Sequence, residues 1–158
     1  MWSAVPKHWF SWDFTVRDSA LQPVAEVNLS SWRERGAVLA AGIEHKVFRQ
    51  GFLGPFVLEQ AGSVVASAEK SSAFRKTVQI EHHGRHYTLK PRSCWRREMV
   101  LYEGDREIGS IAPSNWLVRD ARVSLPDDLS MALRLFVVWL TLLLWKRDSD
   151  AGAAAAAG

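Results

Sequence analysis

The sequence predicts a mainly β fold: a closed antiparallel barrel of about 11–12 strands enclosing one apolar C-terminal α-helix. Three observations predict it. A strand–turn–strand pattern recurs at intervals close to 42 residues. One segment, 129–145, is apolar nearly all round, and such a helix must be buried. Eight Trp in 158 residues supply the large side chains that fill a barrel interior.

The repeat comes first. Val24, Ala25, Glu26, Val27 share one order (β-branched, small, polar, aliphatic) with Val65, Ala66, Ser67, Ala68 and with Ile108, Gly109, Ser110, Ile111. The three runs start at 24, 65 and 108, intervals of 41 and 43, which marks a repeated supersecondary unit. Each follows a strand and a turn: Phe14, Thr15, Val16 before Asp18; Phe56, Val57, Leu58 before Gly62; Val100, Leu101, Tyr102 before Gly104. Each precedes a large aromatic, Trp32, Phe74 and Trp116. Alternation turns Glu26 and Ser67 outward, so Ala25, Val27, Ala66, Ala68, Gly109 and Ile111 face inward. A small inward residue in each unit leaves room for another element to approach, and the terminal helix is the candidate. Further strands fall at 38–41, 44–49, 77–82, 85–89, 96–102 and 117–124, with a hairpin at Gly84. A propeller is the competing architecture, but three repeats are fewer than its usual blades and it needs no terminal helix.

Pro126, Asp127 and Asp128 open the helix, with acids at the positive end of its dipole, and Lys146 and Arg147 close it. Residues 129–145 span about 26 Å, short of the roughly 30 Å hydrocarbon core, and Arg134 leaves only 135–145 uncharged. Burial inside the barrel is the favoured reading; a C-terminal membrane anchor is the alternative. The sequence therefore divides into an N-terminal arm at 1–9, a barrel at 10–147 with its helix at 127–145, and an unstructured tail at 148–158. A single cysteine, Cys94, excludes an internal disulfide framework, and no signal peptide is visible, which suggests the cytoplasm or its membrane surfaces.

The net charge of +3 conceals an asymmetry. Lys70, Arg75, Lys76, Arg85, Lys90, Arg92, Arg96 and Arg97 stand against one acid, Glu81, between 70 and 97. That segment is +7, so the remainder sums to −4. Such an excess suits an anionic partner: lipid headgroups or a membrane surface, with nucleic acid the lesser candidate. The candidate ligand-binding set is Arg75, Lys76, Arg85, Lys90, Arg92, Arg96 and Arg97, expected on one outer wall. Trp95 among Arg92, Arg96 and Arg97 fits an anionic interface, or equally a buried barrel residue. His82 and His86 flank a turn, but no carboxylate or thiolate completes a metal site, so a solvated hairpin tip is the stronger reading. Cys94 lies among arginines without a partner histidine and reads as incidental. No phosphate-cradling glycine loop, paired catalytic carboxylates or cofactor motif is present, so an enzyme is the least supported class.

A twelve-strand repeated meander around one apolar C-terminal helix resembles the tubby C-terminal domain, a fold linked to LURP-one-related proteins and phospholipid scramblases. The match covers roughly 10–147. It includes the hairpin 100–111, Val-Leu-Tyr-Glu-Gly-Asp-Arg-Glu-Ile-Gly-Ser-Ile, similar to the LURP-one unit. The resemblance implies recognition of phosphoinositide headgroups by basic side chains on the barrel wall, although no individual position carries over by motif. Scramblase activity does not fit, since no Cys-rich acylation segment or clustered Asp/Glu loop is present.

Overall fold

A computed structural model describes residues 1–29, 34–72, 75–115 and 119–158. Its described elements are β1 (Trp2–Pro6), β2 (Asp13–Arg17), β3 (Pro23–Leu29), β4 (Gly36–Ala40), β5 (Ile43–Arg49), β6 (Phe56–Gln60), β7 (Ser63–Lys70), β8 (Val78–His82), β9 (Arg85–Pro91), β10 (Met99–Glu103), β11 (Arg106–Pro113), β12 (Ala121–Ser124) and α1 (Met131–Ala157). Neighbouring strands pair antiparallel, and β1 pairs with both β12 and β2 to close the barrel. In place of the N-terminal arm suggested for 1–9, those residues supply the closing strand. Only Ala4 of β1 is buried, so the run lacks the apolar alternation that marks a strand in sequence. Its role comes from the two sheet edges it covers.

The repeat is real and has four strands per unit. Units β2–β5 and β6–β9 are followed by a third that takes its fourth strand from the N-terminus. In each unit the first hairpin slips register at the same place: after Val16, after Leu58 and after Leu101. Bulges of this kind bend a strand and increase its twist, as closure requires. The inward pairs Phe14–Val27, Phe56–Ala68 and Met99–Ile111 correspond. The third unit therefore aligns on residues 99–101, one position before Val100, Leu101 and Tyr102. Trp32, Phe74, Trp116 and the start of the expected 117–124 strand lie outside the described residues.

Inside runs α1. Every residue from 135 to 145 is at most 5% exposed, so the apolar surface that the sequence could assign to protein or lipid faces the barrel wall. No helix among the described residues is long and apolar enough to cross a membrane. The helix lies nearest β4 and β3. Trp139 Nε1 donates to Asn28 O at 3.0 Å, and Gly36 makes that possible. A Cβ at Gly36 would sit 2.0 Å from Asn28 O and 2.3 Å from Trp139 Nε1. Ala25 and Ala66 are buried small residues as expected. Gly109 instead admits the connection after β12: a Cβ there would lie 2.5 Å from Ser124 O.

Both helix ends differ from the sequence reading. Ser130 is the N-cap, its hydroxyl accepting from Leu133 N at 3.2 Å, and the first turn holds no acid. Pro126, Asp127 and Asp128 form the preceding turn, from which Asp127 binds Arg134 at 2.7 Å. Arg134 also stacks 4.0 Å over the Trp2 ring, which accounts for a charge beside the apolar run. At the other end the helix continues through the expected unstructured tail to Ala157.

Antiparallel alternation gives the barrel two unlike mouths. Tight turns gather at one: Ala41–Gly42, Ala61–Gly62 and His83–Gly84 each have both residues at positive φ, the primed hairpin geometry. There α1 enters, and His82 on β8 bonds to Ser130 at 3.1 Å. The longer loops 7–12, 50–55 and 92–98, with residues 75–77, lie around the other mouth, where α1 leaves.

Candidate anion-binding site

Trp145 is the last buried residue of α1, and its Nε1 donates to Arg97 O at 2.7 Å. That bond ties the helix to the 92–98 loop. Between this loop, residues 75–77 and the helix lies an open cleft of about 360 Å³. Leu144, Trp145 and Met99 form its apolar floor; Arg75, Lys76, Arg96 and Arg97 bring four cations to it. The one acid in its lining is Asp148, which pairs with Lys76 at 2.6 Å. Both partners of that pair are largely solvated, so it holds Lys76 weakly. Among the described residues Arg75, Arg96 and Arg97 make no ion pair. Arg97 lies 5.0 Å over the Trp145 ring, and burial pushes its pKa down. An unpaired, partly desolvated guanidinium gains most from an arriving anion.

The structure thus brings together four of the seven predicted cations and separates three. Arg85 is at the opposite mouth, bound to Glu103 at 2.7 and 3.0 Å. Arg92 is held by Glu98 at 2.8 Å and Glu107 at 2.5 Å, which raises its pKa further. Lys90 projects from the outer wall of β9 over Tyr102, 4.2 Å from the ring centroid. The four cations that converge are therefore at a mouth, between residues 75–77, the 92–98 loop and the emerging helix, instead of on the expected strand wall.

Sequence reasoning missed a second cluster beside it. Glu34 binds both Arg49 and Arg147, whose guanidinium groups lie 5.4 and 5.6 Å from the Phe56 ring centroid. Burial together with Arg147 and Arg49 lowers the pKa of Lys70. Three cations thus share one acid. The signal in sequence is the pair Lys146, Arg147 just past the apolar run, which the expected helix end at 145 accounts for and so conceals.

The other chemical candidates separate. His82 points inward and is buried, whereas His86 points outward and is exposed, so the two rings do not converge. His82 Nδ1 donates to Val65 O at 2.7 Å, leaving Nε2 to accept from the Ser130 hydroxyl. Burial holds this ring below its ordinary pKa. Cys94 is exposed on the cleft rim, next to Trp95, which is 92% exposed and so is not a barrel-interior residue. Comparison with family models, curated proteins and solved structures gave no match.

Proposed function

We propose that this chain is a tubby-like binding module without a reaction of its own, which recognises anionic phospholipid or another phosphorylated ligand. The observation that carries the reading is the cleft at the helix-exit mouth. Three cations without ion-pair partners and a weakly held lysine surround an apolar floor there. Arginine forks match phosphate oxygens in pairs, and a phosphate group would replace Asp148 on Lys76. The barrel with its enclosed helix, which resembles the tubby arrangement, supports the same ligand class. The mouth is a better location than the outer wall, because Arg85 and Arg92 are already neutralised by Glu103, Glu98 and Glu107.

Calorimetric titration with inositol trisphosphate tests the proposal. Replacing Arg75, Lys76, Arg96 and Arg97 by Glu should abolish measurable binding. Replacing Arg85, Lys90 and Arg92 should leave affinity within about threefold, since none lines the cleft and Arg85 and Arg92 are already paired with acids. Binding that follows the second set instead, or ignores salt, would remove the cleft as the site.

A further inference from the structure

The exit mouth carries a second feature that phosphate binding does not use. Every exposed large aromatic among the described residues is there: Trp9, Phe10, Phe52 and Trp95, exposed by 77%, 83%, 89% and 92%. Leu53 joins them at 79%. Phe10, Phe52 and Trp95 are 42 and 43 residues apart, the interval of the structural repeat, and occupy the same loop in each unit. Each loop is closed at its base by a backbone bond in the same register: Lys7 N to Asp13 O at 2.8 Å, Gln50 N to Pro55 O at 2.9 Å, and Arg92 N to Glu98 O at 3.0 Å. The 50–55 loop is held further by Arg49 Nε donating to Gly54 O at 3.1 Å.

Three braced loops therefore present aromatic tips around one mouth. Among the described residues no ring or cation contact engages those four rings, and water is a poor environment for them. Beside them stand the unpaired cations Arg75, Arg96 and Arg97. Apolar rings level with cations match the boundary of an anionic bilayer, where aromatic side chains settle among headgroups and Lys or Arg meet lipid phosphates. α1 continues out of this mouth for twelve residues beyond Trp145, about 18 Å, so docking takes its end into the same interface. Asp150 is paired with Lys146, Asp148 is the one acid that phosphate displaces from Lys76, and 151–158 contains only Ala and Gly.

We infer that the helix-exit mouth docks on an anionic membrane surface, with Phe10, Phe52 and Trp95 entering the interface and the cleft cations holding lipid phosphate. The inference rests on the proposed anion site and adds the bilayer as its source. Docking by three tips fixes orientation: the barrel axis stands across the membrane plane, with the tight-turn mouth facing away.

The chain's own single cysteine supplies the probe. An environment-sensitive fluorophore on Cys94, beside Trp95, should brighten and shift to the blue with vesicles of phosphatidylcholine and phosphatidylserine, and not with phosphatidylcholine alone. A fluorophore on the opposite mouth, placed by Cys94→Ser with Asp105→Cys, should stay in water. The triple variant Trp9→Ala, Phe10→Ala, Phe52→Ala alters exposed tips that do not line the cleft, and its circular dichroism should match the parent. Its vesicle binding should weaken by about tenfold or more, while inositol trisphosphate binding stays unchanged. If the triple variant binds vesicles like the parent, or the Cys94 probe remains aqueous, membrane docking by this mouth is overturned and the phosphate site stands. Binding of inositol trisphosphate without any vesicle binding overturns docking in the same way. If neither probe binds, both readings fall.

Discussion

At the scale of single residues, Gly36 and His82 fix how wall and helix meet, and both lead to predictions. A Cβ at Gly36 would strike backbone oxygen and the Trp139 indole, and neither can retreat without breaking the other's hydrogen bond. Gly36→Ala should therefore destabilise the fold by at least about 1–3 kcal/mol, read as a lowered urea midpoint with unchanged slope. His82 joins Val65 O to the helix N-cap as a neutral ring, with Glu81, His83 and Arg85 as its charged neighbours. Its folded pKa lies below the ordinary value of 6.5. Above 6.5 neither state binds the proton and the network contributes fully. Below it the unfolded chain takes up a proton that the folded chain refuses, so stability falls with pH until the lowered folded value is passed. Urea midpoints measured between about pH 7.5 and 5 should show this decline, and His82→Asn should flatten it. Equal slopes would assign the decline to other groups. Residue identity alone marked the turn at Gly84 and the inward Val27 and Ile111 correctly. It held no sign of Gly36, because the cause is an indole more than a hundred positions away.

At the scale of elements, the helix was legible and its limits were not. An uncharged apolar run between Arg134 and Lys146 leaves little choice but a buried helix. Its start was misplaced because Asp127 and Asp128 satisfy the dipole rule in the wrong turn, while Ser130 makes the capping bond. The strands were legible wherever one face is buried, as in β3 and β9. The closing strand β1 was not, since its partners and not its side chains define it. The cleft escaped for a related reason. Alternation assigns faces along strands, but its cations are on loops, where no period operates. Arg92 also looked free, because Glu107 reaches it only through cross-strand register. The helix is the element on which the barrel depends: 135–145 fill the space that twelve strands enclose. Deleting 129–158 should abolish cooperative folding, with loss of the thermal transition and of near-ultraviolet ellipticity. A truncated chain that still melts cooperatively would show that the strands close without a core helix.

At the scale of the whole molecule, threefold repetition explains both the architecture and the proposed function. Three units with matching bulges close a twelve-strand wall, and antiparallel alternation sends every tight turn to one mouth and the longer loops to the other. The period near 42 residues announced the first of these facts. The second was equally present in Phe10, Phe52 and Trp95, but their meaning depends on knowing that their loops share a mouth. A loop repeated in each unit recurs at three positions around the barrel axis, and that arrangement suits contact with a plane. On the proposed function this mouth, and not the barrel wall, meets an anionic surface. Amide hydrogen exchange on the full chain, with and without vesicles containing phosphatidylserine, tests it most directly. Added protection is expected in peptides covering 7–12, 50–55, 75–77 and 92–98, lost in high salt, with β8, β9 and the turn at Gly84 unchanged. Protection centred on the outer face of β8 and β9, or on the tight-turn mouth, would contradict it.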